Sequence, residues 1–270
     1  MEGGSPVFGY LMRFCSLRSG SSGNAAYIGY KDVHILVDAG LSGSTIEKSL
    51  LNIDVNPHSI SAILITHEHN DHIKGAGILS RRYDIPIYAN EATWSSMESF
   101  IGDIEPHNKR FFKTGEDFTL GDVKIRPFKK SHDASEPVGF SFFCGQNKAT
   151  IATDLGYISR GVAANIMDSD VVLLESNHDV DMLMNGTYPW PLKKRILSPH
   201  GHLSNKDAAE AIKKFIKLKA IGKIYLGHLS QNNNKPEIAY KTVVDALKEE
   251  GIDYEINMAL RYAESDIVEI

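Results

Sequence analysis

The chain is short of several things, and each shortage excludes a class of protein. Two cysteines, Cys15 and Cys144, in 270 residues can build neither a disulfide-stapled scaffold nor a cysteine-rich zinc site. They point to a reducing compartment, with one disulfide left open. Twenty-two glycines and ten prolines are too few for a collagen-like or low-complexity chain. No apolar run approaches the roughly 18 residues of a membrane helix, so no membrane partner is expected. The start, Met-Glu-Gly-Gly-Ser-Pro, has no basic segment and no long apolar segment. No secretory signal is therefore expected, and the expected location is the cytoplasm. Residues 1–10 are expected to be a flexible tail on a single domain spanning 1–270.

The formal net charge of −5 argues weakly against a nucleic-acid partner, but it hides an asymmetry. Between Lys193 and Lys223 stand nine Lys/Arg and only two acids, Asp207 and Glu210. This stretch is either a solvated helix face or a surface for an anionic partner.

Strand and helix patterns alternate along the chain. Apolar runs at Ala25–Tyr30, Val33–Asp38, Ile60–Thr66, Val123–Phe128, Gly139–Cys144, Lys148–Thr153, Val171–Glu175 and Lys223–Gly227 read as strands. Ser44 with Glu47 predicts a capping box and a helix through Leu51. A helix is predicted over 73–82, another after Ser204 with Asp207, and another from Pro236 through Leu247. The fold class expected is α/β: an αβ/βα sandwich of two mixed sheets with helices on the outer faces. A doubly wound parallel sheet is the alternative, and the hairpins in the middle of the chain argue against it.

Chemistry concentrates in Thr66-His67-Glu68-His69-Asn70-Asp71-His72, directly after an apolar strand. On extended backbone, side chains at i and i+2 point the same way, so His67 and His69 can share one metal ion. Asp71 and His72, where the chain turns into a helix, can face a second. Imidazole and carboxylate donors suit Zn, Mn or Fe. These four residues do not complete two sites. His132, Asp154 and His228 each follow a predicted strand, the placement that a site on the rim of a sheet requires. The two oxygens of Asp154 could bridge two ions.

His67-x-His69-x-Asp71-His72, followed by His132, Asp154 and His228 and preceded by Asp38 in Leu-Val-Asp-Ala-Gly, resembles the motif set of the metallo-β-lactamase superfamily. Within that superfamily the chain is most similar to bacterial YycJ/WalJ-type proteins. Four stretches carry this closer match: Ser19–Asn24, Leu174–Asn177, His200–Asn205 and Gly227–Asn234. The resemblance implies that His67, His69 and His132 bind one divalent ion, that Asp71, His72 and His228 bind another, and that Asp154 bridges. It implies that Asp38 orients the metal loop from behind, and that a hydroxide between the two ions, Zn, Mn or Fe, is the nucleophile. It further implies a DNA exonuclease of 5′-to-3′ polarity.

Several relatives fit poorly. Secreted β-lactamases need an export signal. β-CASP nucleases insert a large domain between the positions matching Asp154 and His228, for which too few residues lie here. Phosphodiesterases of the PhnP type carry a cysteine-rich zinc site. Transfer-RNA 3′-processing nucleases of the superfamily pair a Glu with a His to protonate the leaving group, and Glu175 and His202 fall at matching places. Catalysis is therefore expected from Asp71, His202 and Glu175, with Lys193, Lys194 and Arg195 binding a nucleic-acid backbone, DNA before RNA. The Lys213/Lys214/Lys217 face extends that basic surface. A hydrolase of thioesters, lactones or cyclic phosphodiesters is the first alternative, and a metal-containing scaffold protein without turnover the second. The oligomeric state stays open, a homodimer among the options.

Overall fold

A computed structural model of the chain describes residues 10–218 and 220–270. The tail expected over 1–10 thus lies outside the described residues except for Tyr10. Two seven-stranded sheets form the centre. The first contains β1 (Arg13–Arg18), β2 (Ala25–Tyr30), β3 (Val33–Val37), β4 (Ala62–Leu64), β5 (Ile87–Ala89) and β6 (Lys109–Phe111). The second contains β7 (Phe118–Leu120), β8 (Val123–Lys129), β9 (Val138–Cys144), β10 (Asn147–Ala152), β11 (Ser169–Glu175), β12 (Ile221–Gly227) and β13 (Ile256–Met258). The last strand, β14 (Val268–Glu269), returns to the first sheet beside β1.

Each sheet is antiparallel at one side and parallel at the other. β3, β4, β5 and β6 run parallel, as do β10, β11, β12 and β13. The inner faces meet over a core that includes Phe14, Ile28, Ile35, Phe140, Phe142 and Tyr225. The outer face of the first sheet is covered by α1 (Gly43–Asn52), α3 (Ala76–Tyr83) and α4 (Glu91–Ile101) through Ile46, Leu79, Trp94 and Met97. Between α1 and α3 lies the single turn α2 (Asn70–Ile73). The second sheet is covered by α5 (Arg160–Ile166), α8 (Asn205–Lys217) and α9 (Pro236–Lys248) through Val162, Ile212, Phe215 and Val243. Two short helices, α6 (Val180–Asn185) and α7 (Trp190–Ile196), sit between β11 and α8. This is the αβ/βα sandwich; the doubly wound alternative fails because one parallel sheet would have to hold what two mixed sheets hold.

Two local expectations shift. Ser42, not Ser44, caps α1, its hydroxyl accepting from the Thr45 amide at 3.2 Å. Glu47 reaches Arg82 instead of closing a capping box. The helix predicted over 73–82 breaks at Gly75, whose amide donates to Ala39 O at 2.7 Å. A Cβ there would sit 2.3 Å from the Leu41 carbonyl oxygen, so the chain can press this closely only without a side chain. Ser204 does cap α8, accepting from the Asp207 amide at 3.1 Å.

Candidate metal centre

Strand ends position the site. β3, β4, β8, β10 and β12 all finish at one end of the sandwich, and Asp38, the His67–His72 loop, His132, Asp154 and His228 follow them within a few residues. Crevices at the carboxyl ends of parallel strands are where α/β sheets collect ligands. Asp38, Asp154 and His228 turn out of their strands with φ of 59°, 55° and 54°. A side chain in this left-handed region costs on the order of 1 kcal/mol, somewhat less for Asp. The cost turns each functional group off its sheet and toward a common point.

The donor atoms form two clusters that share a wall. In one, His67 Nε2 lies 3.1 Å and His132 Nε2 3.3 Å from His69 Nδ1. In the other, Asp71 Oδ2 lies 3.6 Å from both His72 Nε2 and His228 Nε2. Asp154 stands between them: Oδ2 is 3.4 Å from His72 Nε2, and Oδ1 is 3.1 Å from His228 Nε2 and 3.8 Å from His132 Nε2. His67–His69–His132 and Asp71–His72–His228 each bring one donor atom per residue within 4.8 Å of the others. Asp154 Oδ2 and His228 Nε2 are buried without a hydrogen-bond partner among the described residues. A buried carboxylate oxygen and imidazole nitrogen left bare are costly, and a divalent ion between them removes that cost. The donor set therefore fits divalent metal.

Protonation follows the same division. Burial pushes the His67 imidazole well down and that of His132 down to about 4, so both are neutral and ready to ligate. Burial also acts against charge on His72 and His228, but Asp154 and the other surrounding carboxylates outweigh it. They hold His72 well above its usual value and His228 at about 10. Burial would raise the Asp154 carboxyl; His228, His72 and Lys130 instead keep it well below the carboxylate range. Protons and metal thus compete for the same negative charge in this half.

The outer contacts fix the rings. Asp38 Oδ2 accepts from His72 Nδ1 at 2.7 Å and from Thr66 Oγ1 at 2.9 Å, while Oδ1 accepts from the Thr66 amide at 2.8 Å. This sets the His72 tautomer that leaves Nε2 as the donor to metal. Glu175, fully buried at the end of β11, does the same for His228. Its Oε1 lies 2.8 Å from His228 Nδ1 and 2.8 Å from His202 Nδ1, while Oε2 accepts from the amides of Leu155 and Leu203. Both oxygens are thus engaged in orienting the two histidines and in holding the Leu155 and Leu203 amides, although Glu175 also lies within 4.8 Å of donor atoms of Asp154, His202 and His228. Burial works upward on its carboxyl, yet His202 and His228 bring it down to about 2. The His202 ring lies 5.0 Å from that of His132 and 5.2 Å from that of His228. It therefore borders both clusters from the solvent side, with partial exposure.

Several supporting residues escape single-residue reading. Asn24 Nδ2 approaches Asp71 O, Asp71 Oδ2 and His72 Nε2 within 3.2–3.4 Å. Ser19 Oγ accepts from the His228 amide at 2.8 Å, and Asn177 Nδ2 donates to His228 O at 2.8 Å. Their only signal was membership in the Ser19–Asn24 and Leu174–Asn177 stretches. Lys130, buried, donates to Thr153 O and lies 3.9 Å from Asp154 Oδ2.

The basic segment needs correction. Lys193 is buried and donates to Met184 O at 2.7 Å, tying α7 to α6, so it does not present a charge to a backbone phosphate. Arg195 pairs with Asp133, whose Oδ1 is 3.5 Å from His132 Nε2, and so stands at the mouth of the three-histidine cluster. Lys194 is exposed over the Trp190 ring at 5.5 Å. Lys213 and Lys217 pair with Glu210 and Glu250. Lys219 lies outside the described residues. Cys15 and Cys144 are free and buried, far up the thiol range at about 11 and about 12 through burial.

Residues 34–228 match the family profile described as the beta-lactamase superfamily domain. Exodeoxyribonuclease YycJ of Bacillus anthracis is 45% identical over 240 residues, 89% of this chain and 90% of that protein. Exodeoxyribonuclease WalJ of Streptococcus pneumoniae is 43% identical over 254 residues, 90% and 93% of the two chains. Among solved structures, the metallo-β-lactamase fold protein YhfI of Bacillus subtilis superposes with a TM-score of 0.74 at 18% identity, covering 96% of this chain and 99% of the other. Human tRNase Z, short form, gives 0.64 at 18% identity, covering 94% and 99%. The structural matches establish the shared fold, and the sequence match runs from β3 to His228: the chain belongs to the β-lactamase superfamily.

Proposed function

We propose that the protein is a phosphodiesterase with two divalent ions that degrades DNA as an exonuclease. The observation that carries this reading is the Glu175–His202 pair set beside both donor clusters. Breaking a phosphodiester expels an alkoxide of high pKa, which needs a proton as the bond breaks; thiolates and nitrophenolates need one far less. Glu175 accepts from His202 Nδ1 at 2.8 Å, which fixes the ring and leaves Nε2 free to deliver a proton to the leaving oxygen. His67, His69, His132, Asp71, His72, His228 and Asp154 would hold the two ions, whose chemistry would be to activate a water and neutralise charge on the attacked phosphate. Zn or Mn suits these donors, with Fe as a further candidate.

A cavity of about 720 Å³ opens beside His132, lined also by Lys129, Ser131, Tyr157 and His200. An open, partly basic space of this kind suits a strand better than a closed pocket for a lactone would. The names of the YycJ and WalJ relatives support DNA as the substrate, and degradation from the 5′ end is what that likeness leads us to expect. No helix among the described residues is long and apolar enough to cross a membrane; the cytoplasmic location is part of this proposal and rests on the likeness to the bacterial exodeoxyribonucleases. We treat residues 1–270 as one domain, because the core between the sheets draws on residues from Met12 to Val268.

The test combines elemental analysis with assays on 5′- and 3′-labelled DNA, RNA and bis(p-nitrophenyl) phosphate. Close to two ions per chain and preferential loss of the 5′ label from DNA are expected. Hydrolysis of thioesters or lactones with no action on DNA would replace this reading by the small-molecule alternative.

A further inference from the structure

A second cavity, of about 390 Å³, lies beside the residues that follow His228 and shares no wall with the His132 cavity. Its walls are Ser19, the Leu229–Gln231 segment after the ligand His228, the first turn of α9, and the segment from Ala259 to Ala263. It adjoins the candidate metal centre through the backbone: Ser19 Oγ accepts from the His228 amide, and Leu229 is the next residue along the chain. Its volume is at the small end of ligand pockets, which span roughly 300–1,000 Å³.

The far wall is unusual in two ways. It lies beyond the 34–228 stretch matched by the family profile. It also presents an exposed aromatic ring from a fixed backbone. Tyr262 is 75% exposed, yet its segment is pinned on both sides by Ala259 N to Leu226 O at 2.8 Å and Ser265 N to Ser16 O at 2.9 Å. Arg261 is anchored beside it. Its guanidinium donates to Leu229 O and to Ser22 Oγ, and lies 6.0 Å from the Tyr262 ring centroid. The guanidinium sits against Gly20, where a Cβ would come within 3.1 Å of Cζ. Lys235 adds a second cation to the lining, and Glu237 is its one acid.

A planar group, an apolar floor and a fixed cation together suit one nucleotide. We propose that this cavity is a nucleotide subsite, in which the base next to the scissile phosphate stacks on Tyr262 and the outer phosphate of that nucleotide lies against Arg261. The inference rests on the nuclease reading. Stacking on an aromatic side chain tolerates any base, so the subsite would fix the position of a strand end without reading sequence. Its small volume gives it a role in end recognition: one unit fits, and a continuing strand must leave by another path.

The experiment crosses a protein change with a substrate change. Wild type, Tyr262→Ala and Tyr262→Phe, each loaded with Mn, are compared on normal DNA and on DNA abasic at the end from which wild type degrades. Binding of a fluorescein-labelled oligonucleotide is measured by anisotropy in EDTA, which reads the subsite without turnover. Tyr262→Ala should lower kcat/KM on normal DNA by about tenfold, the scale of one lost base stack. Wild type should lose a similar factor on the abasic end, and Tyr262→Ala should lose nothing more there. Tyr262→Phe should behave as wild type, and the two binding affinities should fall in parallel with the rates. Full activity of Tyr262→Ala on normal DNA, or losses from the two changes that multiply, would overturn the subsite. Wild type that hydrolyses bis(p-nitrophenyl) phosphate but no DNA would remove the nuclease reading and the subsite together.

Discussion

His67, His69 and His132 meet carboxylates only at their edge, Asp133 paired with Arg195 and one oxygen of Asp154 at 3.8 Å, whereas Asp71, His72 and His228 sit among Asp38, Asp154 and Glu175. In the first half, burial keeps imidazoles neutral. In the second, carboxylates keep two imidazoles protonated. The first half offers metal two imidazoles, His67 and His132, that burial already keeps neutral. The second offers stronger electrostatic attraction but requires the departure of protons. Ions bound in the two halves would therefore differ in affinity and in response to pH, though each half offers three side chains of its own.

The largest effect that would break this comparison belongs to the shared residue. Asp154→Ala should abolish turnover and lower metal content in both halves, whereas His69→Ala and Asp71→Ala should each leave about one ion per chain. Elemental analysis after desalting distinguishes these; an unchanged content in Asp154→Ala would mean that Asp154 does not bridge. Next comes His202→Ala, which should keep both ions and lose ~10²–10⁴ in rate on DNA, but much less on bis(p-nitrophenyl) phosphate, whose leaving group needs no proton. Equal losses on both substrates would show that His202 holds phosphate instead of protonating the leaving group.

Asp38→Asn tests the halves against each other. An amide facing His72 Nδ1 disfavours the tautomer that ligates through Nε2, so metal affinity should fall by ~10–100-fold in the carboxylate-rich half, and less in the three-histidine half. Competition with a chromophoric chelator would resolve two classes of ion in the variant. Loading metal-free protein at pH 7 should release two protons, one each from His72 and His228. Both sit above their usual value, so apparent affinity in that half should rise with pH until it passes about 10. Calorimetry in buffers of different ionisation heat counts these protons, and no release would place the competing charge elsewhere. The smallest effect concerns the basic segment. Lys194→Ala should reduce the salt slope of DNA binding by about one, whereas Lys193→Ala should leave the slope alone and lower the melting temperature.

That last pair marks where the sequence stops being readable. The candidate donors of the His67–His72 loop are placed by local geometry, strand end into helical turn, and the sandwich follows from periodicity of the strands. His132, Asp154 and His228 were legible as strand-end residues. The role of Lys193 depends on Met184 O, and that of Arg195 on Asp133; such partners are set by how α6 and α7 fold back, which no local pattern encodes. Glu175 was legible as a partner of His202, but its grip on His228 required the register of β11 against β12, which places Glu175 opposite Gly227. The residues 259–263 carried no motif at all, and only the third dimension brings Tyr262 and Arg261 beside Leu229.

Asp38, Asp154 and His228 hold positive φ where glycine would rest more easily. Strain alone would favour glycine, yet each of these side chains holds a buried partner: Asp38 accepts from Thr66 and His72, Asp154 faces His72 and His228, and His228 meets Glu175. The roughly 1 kcal/mol of backbone cost is smaller than the few kcal/mol of leaving a buried charged partner unpaired. Glycine at any of the three bends should therefore lower the melting temperature as well as unseat a donor, so the same side chains secure both the fold and the site.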